Sequence, residues 1–197
     1  MSSILDRLMS SLDDGAVAAI GKQLGKDSTA TKSAIDSALP MLMGALQKSA
    51  RQDNGEGLAQ ALARKHDGGV LDNVAGYLSQ DDGKDGAGIL RHILGSKQGV
   101  AEAALQATAG VDKDQAANLL TRLAPLVLGA VGKASAENKA AGSDLTQMLD
   151  REAETIEKRS PGVMSALSGL LDADGDGDTD LGDLLKLGSG KLGGLFR

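Results

Sequence analysis

Residues 172–183 read DADGDGDTDLGD and place carboxylates at Asp172, Asp174, Asp176, Asp178, Asp180 and Asp183. Two like unit charges about 4 Å apart in water repel by about 1 kcal/mol, so acid at this density needs either full solvation or a counter-cation. The spacing favours the cation. Counting from Asp172, side-chain oxygens fall at the first, third, fifth, ninth and twelfth positions, while Gly177 holds the sixth, where the chain must turn sharply. Asp178, at the seventh, offers its backbone carbonyl. Hard oxygen ligands at alternate positions wrap a hard cation, which makes Ca2+ the expected ion and Mg2+ its competitor.

A loop of this kind needs a helix entering and a helix leaving. The preceding PGVMSALSGLL, with Ser160 as N-cap and Pro161 in the first turn, suits the first, and Asp180 can cap a second beginning LGDLLKL. The pattern resembles the EF-hand calcium loop. It departs from that pattern at Asp183, where Glu is usual, and at Thr179, where an aliphatic residue is usual. Asp at the twelfth position followed by leucines is similar to the half-motifs of dockerin modules. The shorter Asp183 carboxylate implies lower coordination and softer discrimination against magnesium.

Composition sets the frame that carries the loop. The 197 residues are 41% hydrophobic but only 1% aromatic, Tyr77 and Phe196 being the two aromatics, so any core is built from Leu, Ile, Val, Met and Ala. Small alanines at close approach and 27 glycines as punctuation suit short helices better than a sheet. The expected fold class is all-α. A net charge of −6 and few aromatics oppose a nucleic-acid surface, which needs a basic footprint and, for single strands, stacking platforms. No cysteine is present, which excludes disulfides and thiolate chemistry. The opening MSSILDRLMSSLDDG does not read as a signal peptide, and LAPLVLGAV, from Leu123 to Val131, is far short of a membrane span. A cytoplasmic protein without a membrane span is expected.

The chain also repeats itself. GKDSTATKSAIDSALPMLMGALQKS around Pro40 and GVDKDQAANLLTRLAPLVLGAVGKA around Pro125 align at an offset of 85 residues, which maps Gly25 on Gly110, Asp27 on Asp112 and Gly44 on Gly129. Further on, GVLDNVAGYL from Gly69 aligns with GVMSALSGLL from Gly162 at an offset of 93. The expected organisation is an N-terminal helix over 1–12, a first helical repeat over 13–96, a second over 97–190 that carries the calcium loop, and a Gly-rich tail over 191–197. Two copies are too few for a solenoid and should pack on one shared core. In the first copy the loop's counterpart, SQDDGKDGAGIL from Ser79, keeps Asp81 and Asp85 but lacks a full ligand set.

Within each copy the residues predict short helices. Ile4, Leu5, Leu8, Met9 and Leu12 share one helical face, and Asp112 with Gln115 fits a capping box. Pro40 and Pro125 are each expected to end one helix and open the next. Glycines 68, 95, 110, 142 and 188 are expected at helix ends or bends, and Met41, Met43, Met148 and Met164 in the core.

AIDSALPMLMGAL, LLTRLAPLVLGAV, GILRHILGSK and GKLGGLFR together resemble the YidB-like bacterial family, a domain of unknown function. The resemblance covers most of the chain and implies an all-helical fold. It supplies no catalytic residues to carry over.

The two histidines are not spaced as a zinc pair. His92, amid the apolar residues of GILRHILGSK, is expected to be partly buried, and His66, in ARKHDGG, to be a polar helix end. Glu152, Glu154 and Glu157 read as scattered helix-surface acids. The function these features favour is a non-enzymatic, calcium-binding helical protein with a structural, interaction or self-assembly role, partnered by calcium and by another protein or a second copy of itself. The competing expectations are an accessory domain of a hydrolase or other enzyme, and a DNA-associated regulatory protein.

Overall fold

The computed structural model describes residues 3–159, and among them every regular element is helical. In chain order these are α1 (Ile4–Ser11), α2 (Asp14–Leu24), α3 (Ser28–Gln52), α4 (Glu56–Lys65), α5 (Val74–Gln80), α6 (Lys84–Ile93), α7 (Gln98–Ala109), α8 (Lys113–Asn138) and α9 (Ser143–Arg159). A 3-10 turn over Gly69–Asn73 leads into α5, and another over Gly95–Lys97 leads into α7. The all-α expectation holds. The aspartates of 172–183, the cap at Ser160 and Pro161, Met164, Gly188 and the tail over 191–197 lie outside the described residues.

Two long helices form the axis of the molecule. α3 and α8 pack on each other, and the remaining helices cover them: α2, α7 and α9 against α3, and α1, α6 and α7 against α8. Their central turns are almost wholly apolar, with Leu39, Leu42, Met43 and Leu46 on α3 and Leu119, Leu120, Leu123 and Val131 on α8 all buried. Met41 and Met43 lie in this core as expected, and Met148 packs against it partly buried.

The prolines do not break these helices, contrary to expectation. Pro40 and Pro125 lie inside α3 and α8, each buried in the middle of a continuous rod. An interior proline removes one backbone hydrogen bond and crowds the preceding turn, at a cost of about 3 kcal/mol. Apolar residues surround both prolines on every side of the helix, and splitting either rod would expose that surface to water. Burial of one Leu side chain stabilises by about 2 kcal/mol, so a few such residues offset the proline cost. The helix therefore survives.

Two helix ends that lie 85 residues apart have the same local geometry. α2 ends at Gly25 with φ 62° and ψ 33°, α7 at Gly110 with φ 62° and ψ 32°, and the next helix begins in each case two residues on, at an Asp N-cap. Asp27 accepts from the Ala30 amide at 2.8 Å, and Asp112 from the Gln115 amide at 2.8 Å, with the Gln115 side chain completing the capping box. The left-handed conformation at Gly25 and Gly110 lets the chain turn back on itself at no steric cost. The two ends then serve each other: Gln115 Nε2 donates to the Leu24 carbonyl at 2.6 Å, and Lys26 Nζ donates to the Gly110 carbonyl at 3.0 Å.

α8 is long and apolar enough to cross a membrane by length and composition, but 72% of its apolar window is buried inside the fold. It is a core helix. Reading LAPLVLGAV as the full apolar stretch underestimates it, because the helix runs straight through Pro125.

Candidate functional site

The described residues hold an apolar recess flanked by ionisable groups. It lies where the C-terminal half of α3, α4 and α6 meet over α8, and its volume is about 250 Å3. Leu46, Ala50, Leu58, Ile89, Ile93 and Leu128 form its apolar walls, and His66, His92 and Asp85 stand around it. Both histidines of the chain thus face one cleft, although 26 residues separate them in sequence.

α6 supplies one wall because of how it seats on α8. It buries Gly86, Ile89 and Leu90, and a Cβ on Gly86 would come within 1.8 Å of the Thr121 carbonyl oxygen, so only glycine permits this approach. The opposite face then turns Asp85, Gly88 and His92 outward at i, i+3 and i+7 spacing. That rotation corrects the expectation for His92: it is exposed, because the apolar neighbours in its sequence point to α8 and it does not.

His66 stands at a helix end, as expected, and is the more enclosed of the two. It closes α4, its amide donating to the Leu62 carbonyl at 3.2 Å, and its own carbonyl rests against Gly132 of α8, where a Cβ would come within 1.8 Å. Pressed onto α8 in this way, its side chain is only 10% exposed. Burial pushes the imidazole below the usual histidine range, opposed by the nearby Asp85 carboxylate and helped by Lys65. Nε2 stands 3.9 Å from Asp85 Oδ2, too far for a hydrogen bond.

The other charged groups at the cleft have partners elsewhere. Lys84 Nζ reaches Asp82 at 2.5 Å, and Asp53 closes the turn between α3 and α4 by accepting from the Gly55 and Gly57 amides at 3.2 and 2.8 Å. Among the described residues no hydroxyl is hydrogen-bonded to either imidazole, so a nucleophile activated by histidine is not assembled there. What the recess can do is hold an apolar group beside a carboxylate.

Two other acids, Glu152 and Asp81, hold helices together. Glu152 is not a surface acid: it is 6% exposed and accepts from the amides of Ile4 and Leu5 at 3.0 and 2.9 Å, where the first turn of α1 presents unpaired N–H groups and a partial positive charge. Ion pairs of Asp6 with Arg159 and of Arg7 with Glu137 flank it. Asp81, 4% exposed, pairs with Arg122 of α8 at 3.2 Å, and the same guanidinium nitrogen reaches the Asp81 carbonyl at 3.2 Å. The Tyr77 hydroxyl donates to Asp81 Oδ1 at 3.5 Å, and burial, then the neighbouring carboxylates, raise its pKa. Asp81 and Asp85 therefore serve different neighbourhoods and do not converge on one ion; among the described residues no group of three potential metal ligands is found.

No local signal in the sequence marks the cleft. The histidines lie on different elements, and only the seating of α6 and of the turn after α4 on α8 brings them together.

Residues 6–134 match the family described as "Bacterial protein of unknown function (DUF937)". That span takes in every residue lining the cleft and ends before α9 and the aspartate loop. Comparison with curated proteins and with solved structures gives no match.

Proposed function

The chain belongs to this bacterial family of unknown function, DUF937, and from that premise we propose that it is a non-enzymatic, calcium-binding helical protein with a structural, interaction or self-assembly role. The observation that carries the reading is the ligand spacing of Asp172, Asp174, Asp176, Asp178, Asp180 and Asp183 around Gly177. Six carboxylates in twelve residues gain most from a divalent cation, calcium before magnesium. The non-enzymatic part draws support from Glu152 and Asp81, whose enclosed carboxylates are both engaged in holding helices together.

The resemblance of residues 172–183 to the EF-hand and dockerin loops belongs to the same reading. Cytoplasmic residence and a homo-oligomeric or protein partner complete it. Calorimetric titration of the full chain with calcium chloride tests the proposal: a single saturable site is expected, lost in Asp176→Ala, with magnesium binding more weakly. Absence of binding up to millimolar calcium would overturn it. Light scattering with and without calcium reads the self-assembly part directly.

A further inference from the structure

We propose that the cleft between α3, α4 and α6 is a binding site for a small amphipathic cation, an aromatic or aliphatic amine whose apolar body enters the recess and whose ammonium pairs with Asp85. The inference goes beyond the calcium reading and concerns different residues.

Size and lining define the body of the ligand. An apolar cavity of about 150 Å3 accepts benzene, so a recess of about 250 Å3 suits one ring with a short chain. Leu46, Leu58 and Ile89 offer it apolar contact.

Charge defines the head. Lys84 is held by Asp82, and the one basic side chain found within ion-pair distance of Asp85 among the described residues is His66, whose Nε2 is beyond hydrogen-bond reach at 3.9 Å. Its burial keeps the imidazole neutral near pH 7, so it does not neutralise the carboxylate. Asp85 thus places a half-exposed carboxylate at the lip of an apolar recess, with no lysine or arginine paired to it among the described residues. An ammonium placed there gains a charge-assisted hydrogen bond, whereas a carboxylate ligand would be repelled.

Gly88 is the second, independent observation. Glycine inside a helix costs about 0.5 to 1 kcal/mol relative to alanine and is usually retained where a neighbour comes too close for a Cβ. Gly86 has such a neighbour, Thr121. Gly88, one turn before His92 on the cleft-lining face, has none: nothing lies within 4 Å of where its Cβ would be. No part of the described fold fills that space, which leaves the cleft wall beside Asp85 open to a ligand.

Titration of the full chain with phenethylamine, followed by the ring-proton NMR signals of its two histidines, tests this. Saturable shifts of both are expected with phenethylamine, weaker ones with the neutral phenethyl alcohol and none with phenylpropionate. Asp85→Asn should weaken amine binding by about tenfold and leave alcohol binding unchanged. Gly88→Leu should abolish the shifts while the circular dichroism and melting temperature stay near wild type. Equal binding of amine, alcohol and acid, unchanged amine binding in Asp85→Asn, or no saturable shift with any probe, as when residues 160–197 themselves fill the recess, would each overturn the proposal.

Discussion

Gly86 lies with its Cα against the carbonyl of Thr121, the backbone acceptor that Pro125 deprives of its intrahelical donor four residues on. The proline that should end a helix instead leaves one carbonyl open, and the neighbouring helix approaches it closely enough for a Cα–H···O contact. The defect in α8 and the glycine in α6 fit each other.

This pairing separates two glycines only two residues apart. Gly86→Ala forces a methyl into the Thr121 carbonyl and should destabilise the fold by about 3 kcal/mol, with a proportional fall in urea midpoint. Gly88→Ala meets nothing and should stabilise by up to about 1 kcal/mol. Similar melts for the two variants would contradict the close seating of α6 on α8.

The first turn of α1 is fixed by a carboxylate from a helix nearly 150 residues away in sequence. Glu152→Ala should cost about 2 kcal/mol by stranding two amides in a part-buried site, and Glu152→Gln, which keeps an acceptor but loses the charge, about half of that. Amide exchange at Ile4 and Leu5 should accelerate in both variants before global stability is lost. Protection of these amides unaffected by Glu152→Ala would show that α1 is held by its apolar face alone.

Arg122 and Asp81 form the most enclosed ion pair of the described residues, at 15% and 4% side-chain exposure. Arg122→Met leaves the Asp81 carboxylate buried without its cation and should cost about 3 kcal/mol. The double variant Arg122→Met with Asp81→Leu removes the stranded charge and should recover a substantial part of that loss. A double variant no more stable than the single one would show that the guanidinium contributes mainly through the carbonyls of Asp81 and Leu78.

The sign of the pH response follows from His66. Its folded pKa lies below the ordinary value of 6.5, so at acid pH the unfolded chain binds a proton that the folded chain refuses. The stability is fully present above pH 6.5 and is lost as pH falls from there through the folded pKa. Melting temperature should decline across that window, and His66→Gln should reduce the decline. Titration of the His66 ring signal with a midpoint at or above 6.5 would refute the assignment.

If 172–183 binds calcium in the folded state, free calcium at one hundred times the dissociation constant stabilises that state by about 2.7 kcal/mol. The melting temperature should fall on addition of EDTA, and Asp176→Ala should melt at one temperature with and without calcium. A wild-type melt indifferent to calcium would remove the loop's role in stability.

What the sequence alone determined is whatever depends on near neighbours along the chain. Helical periodicity, the capping box at Asp112 and Gln115, the turn glycine Gly110 and the apolar character of α3 and α8 are local or compositional, and each is legible in the order of residues. The spacing of the aspartates, on which the proposed calcium site rests, belongs here too, since it is a pattern of near neighbours along the chain. Tertiary structure alone decided the rest. Whether Pro40 and Pro125 break their helices depends on how much apolar surface surrounds them, a property of the whole core. Which way α6 faces depends on Gly86 finding the Thr121 carbonyl, and that contact exposes His92, encloses His66 with the turn after α4, and makes one cleft out of residues from four helices. Periodicity shows that a helix has two faces; only packing settles which neighbour each face meets.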